Sequence, residues 1–267
     1  MDTYRFTAGT TPVLMSIPHL GFTLPEALKP RMTEAALAST DTDWHLDQLY
    51  DFAPMLGCSV IAATYSRYAI DLNRAPDGTQ LYPGASNTEL VPLTSFDREP
   101  LYRNGYAPTQ SEIEERRKLY WNPYHERLHA ELRALRDKFG VAVLFDCHSI
   151  RSHVPRFFDG KIWDFNLGTA DGKSADPELR RRLIDRLQNE NGFTLAIDGR
   201  FTGGYITRQY GKPAENIHAF QMELSWATYM DESPPFAYRA DLAANVKPAL
   251  RRMLEAAVEW AKQKAAG

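Results

Sequence analysis

Several large classes of protein are excluded by what this chain lacks. Its 267 residues include only two cysteines, Cys58 and Cys147, so disulfides do not build the fold. Both lie in apolar, strand-like runs and read as reduced core thiols. Positive charge is not in excess. The 31 Lys and Arg against 34 Asp and Glu leave a formal net charge of −3, which offers nothing to nucleic acid or to an anionic membrane. Any anion site must therefore be local, built from a few placed arginines. No apolar run approaches the roughly 20 residues of a membrane span. The opening "MDTYRFTAGTTP" has no basic segment followed by an apolar one, so no secretory signal is expected and the cytoplasm is the expected compartment. Repeats and low-complexity linkers are absent, and residues 1–267 read as one domain.

What is present suits a soluble α/β core, with 43% hydrophobic and 24% charged residues. Buried strands are expected at 12–18, 58–66, 141–147 and 217–224, with weaker ones at 163–169 and 192–198. A helix is expected over 40–57, where Trp44, Leu46, Leu49, Phe52 and Leu56 recur at helical spacing. Residues 67–74 read as a shorter extended piece. Another helix is expected over 109–138, kinked or broken at Pro123. Further helices are expected at 176–190, capped by Asp176 with Pro177 at its first position, and at 239–265 with a frayed tail. Residues 75–108 are rich in Pro, Gly, Asn and Asp without a sustained period, an irregular excursion and a candidate lid. Alternating strands and helices predict a three-layer α/β fold, a mixed, mostly parallel sheet with helices on both faces.

In such sheets ligands gather outside the carboxyl ends of the strands. Strand 12–18 ends in "PHLG", presenting His19, and strand 141–147 ends in "DCHS", presenting Asp146 and His148. Strand 217–223 ends in Glu223, and the helix of 40–57 opens with Asp43 and Asp47. The piece 67–72 runs into "DLNR", with Asp71, Asn73 and Arg74. Two histidines and a carboxylate form a common catalytic zinc shell, and a further carboxylate can take the proton of the attacking water. Glu223, costly in a buried strand unless paired or functional, is the candidate for that carboxylate. Asp146 is read on the opposite side of the strand from His148, orienting either His148 or His19. Arginine forks onto carboxylates, which makes Arg74 beside Asn73 a candidate anion clamp, although a surface ion pair with an Asx turn accounts for the same four residues.

Seven ordered motifs, "SIPHLG", "TDTDWHLDQLYD", "YSRYAIDLNR", "PYHERL", "LFDCHSI", "FTGGYITRQYG" and "FQMELSW", span about residues 16–226. Together they resemble the N-formylglutamate amidohydrolase (N-formylglutamate deformylase) family, which is itself similar to the zinc carboxypeptidases and aspartoacylase. The resemblance implies a zinc-carboxypeptidase-like fold with His19, His148 and Asp43 on one divalent metal ion, and Asp47 as the alternative carboxylate. Zinc suits these donors best, although iron, cobalt and manganese also fit them. It implies Asn73 and Arg74 on a substrate carboxylate and Glu223 as general base and then general acid. The implied reaction hydrolyses N-formyl-L-glutamate to L-glutamate and formate, the last step of one route of histidine breakdown. The substrate is a small dicarboxylate, so a second arginine is expected. Arg208, after Gly203-Gly204 where backbone can approach a ligand, comes first and Arg67 next. His125 in "PYHERL" either approaches the site or packs beside Pro123.

Overall fold

The computed structural model describes residues 2–266 apart from 82, 83, 85 and 191. Seven strands form one sheet: β1 (Tyr4–Thr7), β2 (Val13–Ile17), β3 (Ser59–Ala63), β4 (Ala142–Ile150), β5 (Phe165–Gly168), β6 (Leu195–Ile197) and β7 (Ile217–Ser225). Their order is β1-β3-β2-β4-β7-β5-β6. The pairs β3–β2, β2–β4, β4–β7 and β5–β6 are parallel, while β1–β3 and β5–β7 are antiparallel. The sheet is thus mixed and mostly parallel, as the alternation of strands and helices predicts.

Burial on both faces explains the apolar runs of the central strands, since parallel strands are covered by helices on each side. One core packs Val143, Phe145, Cys147, Phe220 and Met222 beneath α5 (Pro177–Gln188) and α7 (Ala240–Ala266). The other packs Leu14, Ala142, Leu144 and Ala219 beneath α4 (Asn122–Phe139) and Ile206 of α6 (Tyr205–Tyr210). The described residues also form three short α-helices, α1 (Glu34–Leu37), α2 (Leu46–Leu49) and α3 (Gln110–Arg116).

Four expectations change. The helix of 40–57 shrinks to the single turn of α2 and a 3-10 turn over Pro54–Leu56, because Asp43 is drawn into a turn by the bond of its N–H to His19 O (2.9 Å) and His45 adopts a left-handed φ of 60°. Residues 67–74 are turns rather than an extended piece, since the Asp71 carboxylate accepts from the Asn73 N–H at 2.8 Å and folds the chain back. Pro123 does not break the long helix. A π-turn over Arg117–Trp121 joins α3 to α4 and places Pro123 in the first turn of α4, where its missing N–H matters least. The tail is helical through Ala266. The strand β1, whose residues alternate between half-buried and exposed, goes unannounced in the sequence. Of the irregular stretch 75–108, the described residues contain no helix or strand, and residues 82, 83 and 85 lie outside the described set.

Candidate active site

The pleat of β4 and its neighbours builds the site. Successive side chains alternate faces, so Asp146 and His148 share one face, a correction to the reading that put them on opposite sides. The same face begins with Ala142 and Leu144, covered by α4, and turns polar at the strand's carboxyl end. Register carries the polarity across the sheet. Ser16 of β2 lies opposite Asp146, which lies opposite Gln221 of β7, and His148 lies opposite Glu223. Phe145 and Cys147 point the other way, into apolar core, and burial pushes the Cys147 thiol well above its ordinary pKa. Cys58 is likewise buried, unpaired and raised to about 12.

His19, Asp43 and His148 converge, with one donor atom from each inside 4.8 Å of the others, and all three are buried. Both imidazoles turn Nδ1 toward the same carboxylate oxygen: Asp43 Oδ2 lies 3.7 Å from His19 Nδ1 and 3.2 Å from His148 Nδ1. Both Nε2 atoms face other carboxylates, Asp71 Oδ1 at 2.7 Å for His19 and Asp146 Oδ2 at 2.9 Å for His148. Carboxylates behind ligating histidines characteristically fix the tautomer that leaves a lone pair for metal. Asp146 is the carboxylate behind His148, and Asp71 the one behind His19. Burial works against ionisation of Asp43, but hydrogen bonds from His148 and His19 outweigh it and hold its carboxyl well below the usual range. For His148, burial is likewise outweighed, by Asp146 and Asp43, and its pKa is raised. Asp47 stands outside the cluster, on the surface, paired with Arg5 at 3.0 Å.

A pocket opens onto the cluster, lined among others by Glu223, Asn73, Gln221, Gly204 and three arginines, Arg67, Arg74 and Arg200. Desolvation raises Glu223 to about 8, with Asp43 adding to it and His148 opposing, so both protonation forms are accessible near neutral pH. Arg67 donates to Asp71 Oδ2 at 2.6 Å and lies 4.0 Å from Asp43 Oδ1, so it holds the cluster's negative charge. Arg74 donates to Thr88 Oγ1 at 2.7 Å while facing the pocket.

Arg208 does not line the pocket. It is exposed, and its guanidinium turns back to Gly203 O (2.8 Å) and Thr202 Oγ1 (2.7 Å). Arg200, which the sequence reading passes over, does line the pocket, donating to Phe157 O at 2.8 Å. The close approach permitted by Gly204 is to Asn73: a Cβ there would fall 2.1 Å from Asn73 Nδ2. Asn73 Oδ1 accepts from the Ile206 N–H at 2.8 Å and its Nδ2 lies 3.0 Å from His148 Nε2. His125 lies behind the site, not in it. Its Nε2 donates to Leu72 O at 2.8 Å, Nδ1 accepts from the Tyr210 hydroxyl at 2.9 Å, and Trp121 stacks on it. Leu81, Ser86, Asn87 and Phe96 of the irregular stretch form part of the pocket wall.

A family model described as N-formylglutamate amidohydrolase matches residues 11–230. The chain belongs to the N-formylglutamate amidohydrolase family. Curated relatives include an N-formylglutamate deformylase of Pseudomonas putida, 49% identical over 97% of both chains. Another, from Pseudomonas aeruginosa, is 49% identical over 98% of both. Among solved structures, an N-formylglutamate amidohydrolase from Ralstonia eutropha JMP134 shares the fold with a TM-score of 0.83 at 24% identity, over 99% of this chain and 100% of that one. A protein from Agrobacterium tumefaciens superposes with a TM-score of 0.72 at 16% identity, over 96% of this chain and 95% of that one. The family motifs thus lie on a shared fold, with "SIPHLG", "LFDCHSI" and "FQMELSW" at the carboxyl ends of β2, β4 and β7.

Proposed function

We propose that this protein is a metal-dependent amidohydrolase that cleaves N-formyl-L-glutamate to L-glutamate and formate. The observation that carries the reading is the convergence of His19, Asp43 and His148 on one point, beside Glu223 with its raised pKa. The donor set fits a divalent ion: two imidazole Nδ1 atoms with their Nε2 atoms already held by carboxylates, and an ionised Asp43 between them. Two histidines and a carboxylate suit zinc. When bound, such an ion supplies Lewis acidity, polarising the formyl carbonyl and acidifying water.

The remaining chemistry belongs to the chain. Glu223 takes the proton of the attacking water and delivers it to the departing amine, as a group poised near neutrality can do in both directions. Arg74 and Arg200 face the pocket and bind the two carboxylates of the substrate. A neutral formyl amide forgoes these charge-assisted contacts and is disfavoured. Arg67, committed to Asp71 and Asp43, keeps the cluster's carboxylates ionised. The two buried, unpaired thiols suit a reducing, cytoplasmic setting, and the product pair suits the end of histidine breakdown.

The deciding experiment measures formate, acetate and amine release from N-formylglutamate, N-acetylaspartate and short peptides, with metal content determined in parallel. The expected result is preference for N-formylglutamate with about one metal ion per chain. Preference for N-acetylaspartate replaces the substrate assignment with a related N-acyl amino acid hydrolase. Undiminished turnover after complete metal removal overturns the metal.

A further inference from the structure

We propose that Ser16 and Tyr124 are positioning residues that fix the tautomer of His148, so that β2 and α4 set the strength of the metal site from behind Asp146. The inference rests on the metal reading above. Ser16, Tyr124 and Asp146 are fully buried and His148 is 3% exposed, so no solvent substitutes for a lost partner. The direction of each bond follows from chemistry. An ionised Asp146 only accepts, so Ser16 Oγ gives its single hydrogen to Asp146 Oδ1 at 3.0 Å. Ser16 Oγ then has only lone pairs left, and the Tyr124 hydroxyl donates to it at 3.0 Å. With Oδ1 held, Asp146 Oδ2 takes the N–H of His148 Nε2 at 2.9 Å, so Nδ1, 3.2 Å from Asp43 Oδ2, is the nitrogen left to give up its proton to a metal ion.

A competitor makes the relay consequential. Asn73 Nδ2 stands 3.0 Å from the same Nε2 and can only donate. If Asn73 prevails, the proton moves to Nδ1, points at Asp43 and blocks metal. A charge-assisted bond to Asp146 is roughly twice as strong as one to a neutral amide, so Asp146 wins while its carboxylate is held in place. Ser16 and Tyr124 hold it. Tyr124 is fully buried in the same apolar cluster as Leu128, and phenylalanine would fill nearly the same space.

The test is a double-mutant cycle of Ser16→Ala and Tyr124→Phe, with Asp146→Asn as the reference. Zinc dissociation constants are read by competition with a chromogenic chelator, and melting temperatures on chelator-stripped protein. Ser16→Ala is expected to weaken zinc by about 10-fold, at the lower edge of the range for partners behind a ligand. Tyr124→Phe weakens it less, and the double variant is no weaker than Ser16→Ala, because Tyr124 acts through Ser16. Wild-type zinc affinity in Ser16→Ala overturns the proposal, as do additive losses in the double variant. A merely structural role lowers the melting temperature and leaves zinc affinity unchanged, which also overturns it. If the wild type takes up no zinc, the functional reading fails and this proposal falls with it, whereas zinc uptake by the wild type with unchanged affinity in Ser16→Ala overturns this proposal alone.

Discussion

Asp71→Asn removes one charge and almost no volume, yet it should be among the most damaging single changes in the molecule. Three donors point at this fully buried carboxylate: Arg67 at 2.6 Å, His19 Nε2 at 2.7 Å and the Asn73 N–H at 2.8 Å. An asparagine offers one oxygen and one N–H₂ group, so at least one donor meets another donor. Arg67 is left leaning on Asp43, 4.0 Å away, while its side chain stays buried at 7% exposure. Breaking a buried pair from one side costs about 3–5 kcal/mol. At about 2–4 °C per kcal/mol for a chain of roughly this size, the metal-free melting temperature should fall on the order of 10 °C. Zinc affinity should fall about 10–100-fold, because His19 loses its orienting carboxylate. The control is Asp47→Asn, in a pair whose side chains are 65% and 48% exposed, where about 0–1 kcal/mol is at stake. Thermal melts in chelator and zinc competition on the same preparations give both readouts. Equal melting temperatures for the two variants would refute the reasoning.

Glu223→Gln should retain zinc and lose at least about 10²-fold in kcat, and loss of zinc would instead make Glu223 a ligand. Arg200→Ala should raise KM for N-formylglutamate by an amount on the order of 2 kcal/mol or more, with Arg208→Ala close to wild type; the reverse order would return Arg208 to the pocket. Between pH 6 and 5 the metal-free fold should weaken on acidification, since unfolded His125 and His218 take protons that their buried rings, lowered to about 3 and about 4, refuse, while folded Glu223, raised to about 8, gains one. The net proton corresponds to about 1.4 kcal/mol per pH unit in urea titrations and to about twice that in Glu223→Gln; stability that rises on acidification contradicts the balance.

The parts of the fold legible in the sequence were those whose burial is one-dimensional. Strands such as "VAVL" and "IHAF" show it as continuous apolar runs, and Asp176 with Pro177 announces α5 locally. The failures arise where tertiary contacts override local preference. Residues 40–57 have helical spacing, but Asp43 is held at the cluster and the chain turns there. The edge strand β1 has no apolar run to betray it. His19, His148 and Glu223 were legible because a polar group closing a buried strand is costly unless it is paired or has a task. Asp43 followed from its place beside them in the family's motif. Asp71 was visible but without a role, since its partner His19 lies 52 positions away. Arg200 had no local signal at all, and only the folding of its loop against Phe157 brings it to the pocket.

The π-turn at Arg117–Trp121 has a consequence for how this chain tolerates length changes. One residue of an α-helix spans about 100° of rotation. The extra residue of a π-turn is taken up within that one turn, so the helices on either side keep nearly the phase of an uninterrupted helix. Deleting a single residue from the turn should therefore let α3 and α4 merge into one regular helix with their faces kept: Arg116 stays on Tyr102, Tyr124 on Ser16 and His125 on Leu72. A deletion inside α4 has no such slack and would turn either Leu128 and Leu132 or the residues before them about 100° from their partners. The π-turn is thus where this long helical segment best absorbs a one-residue change in length.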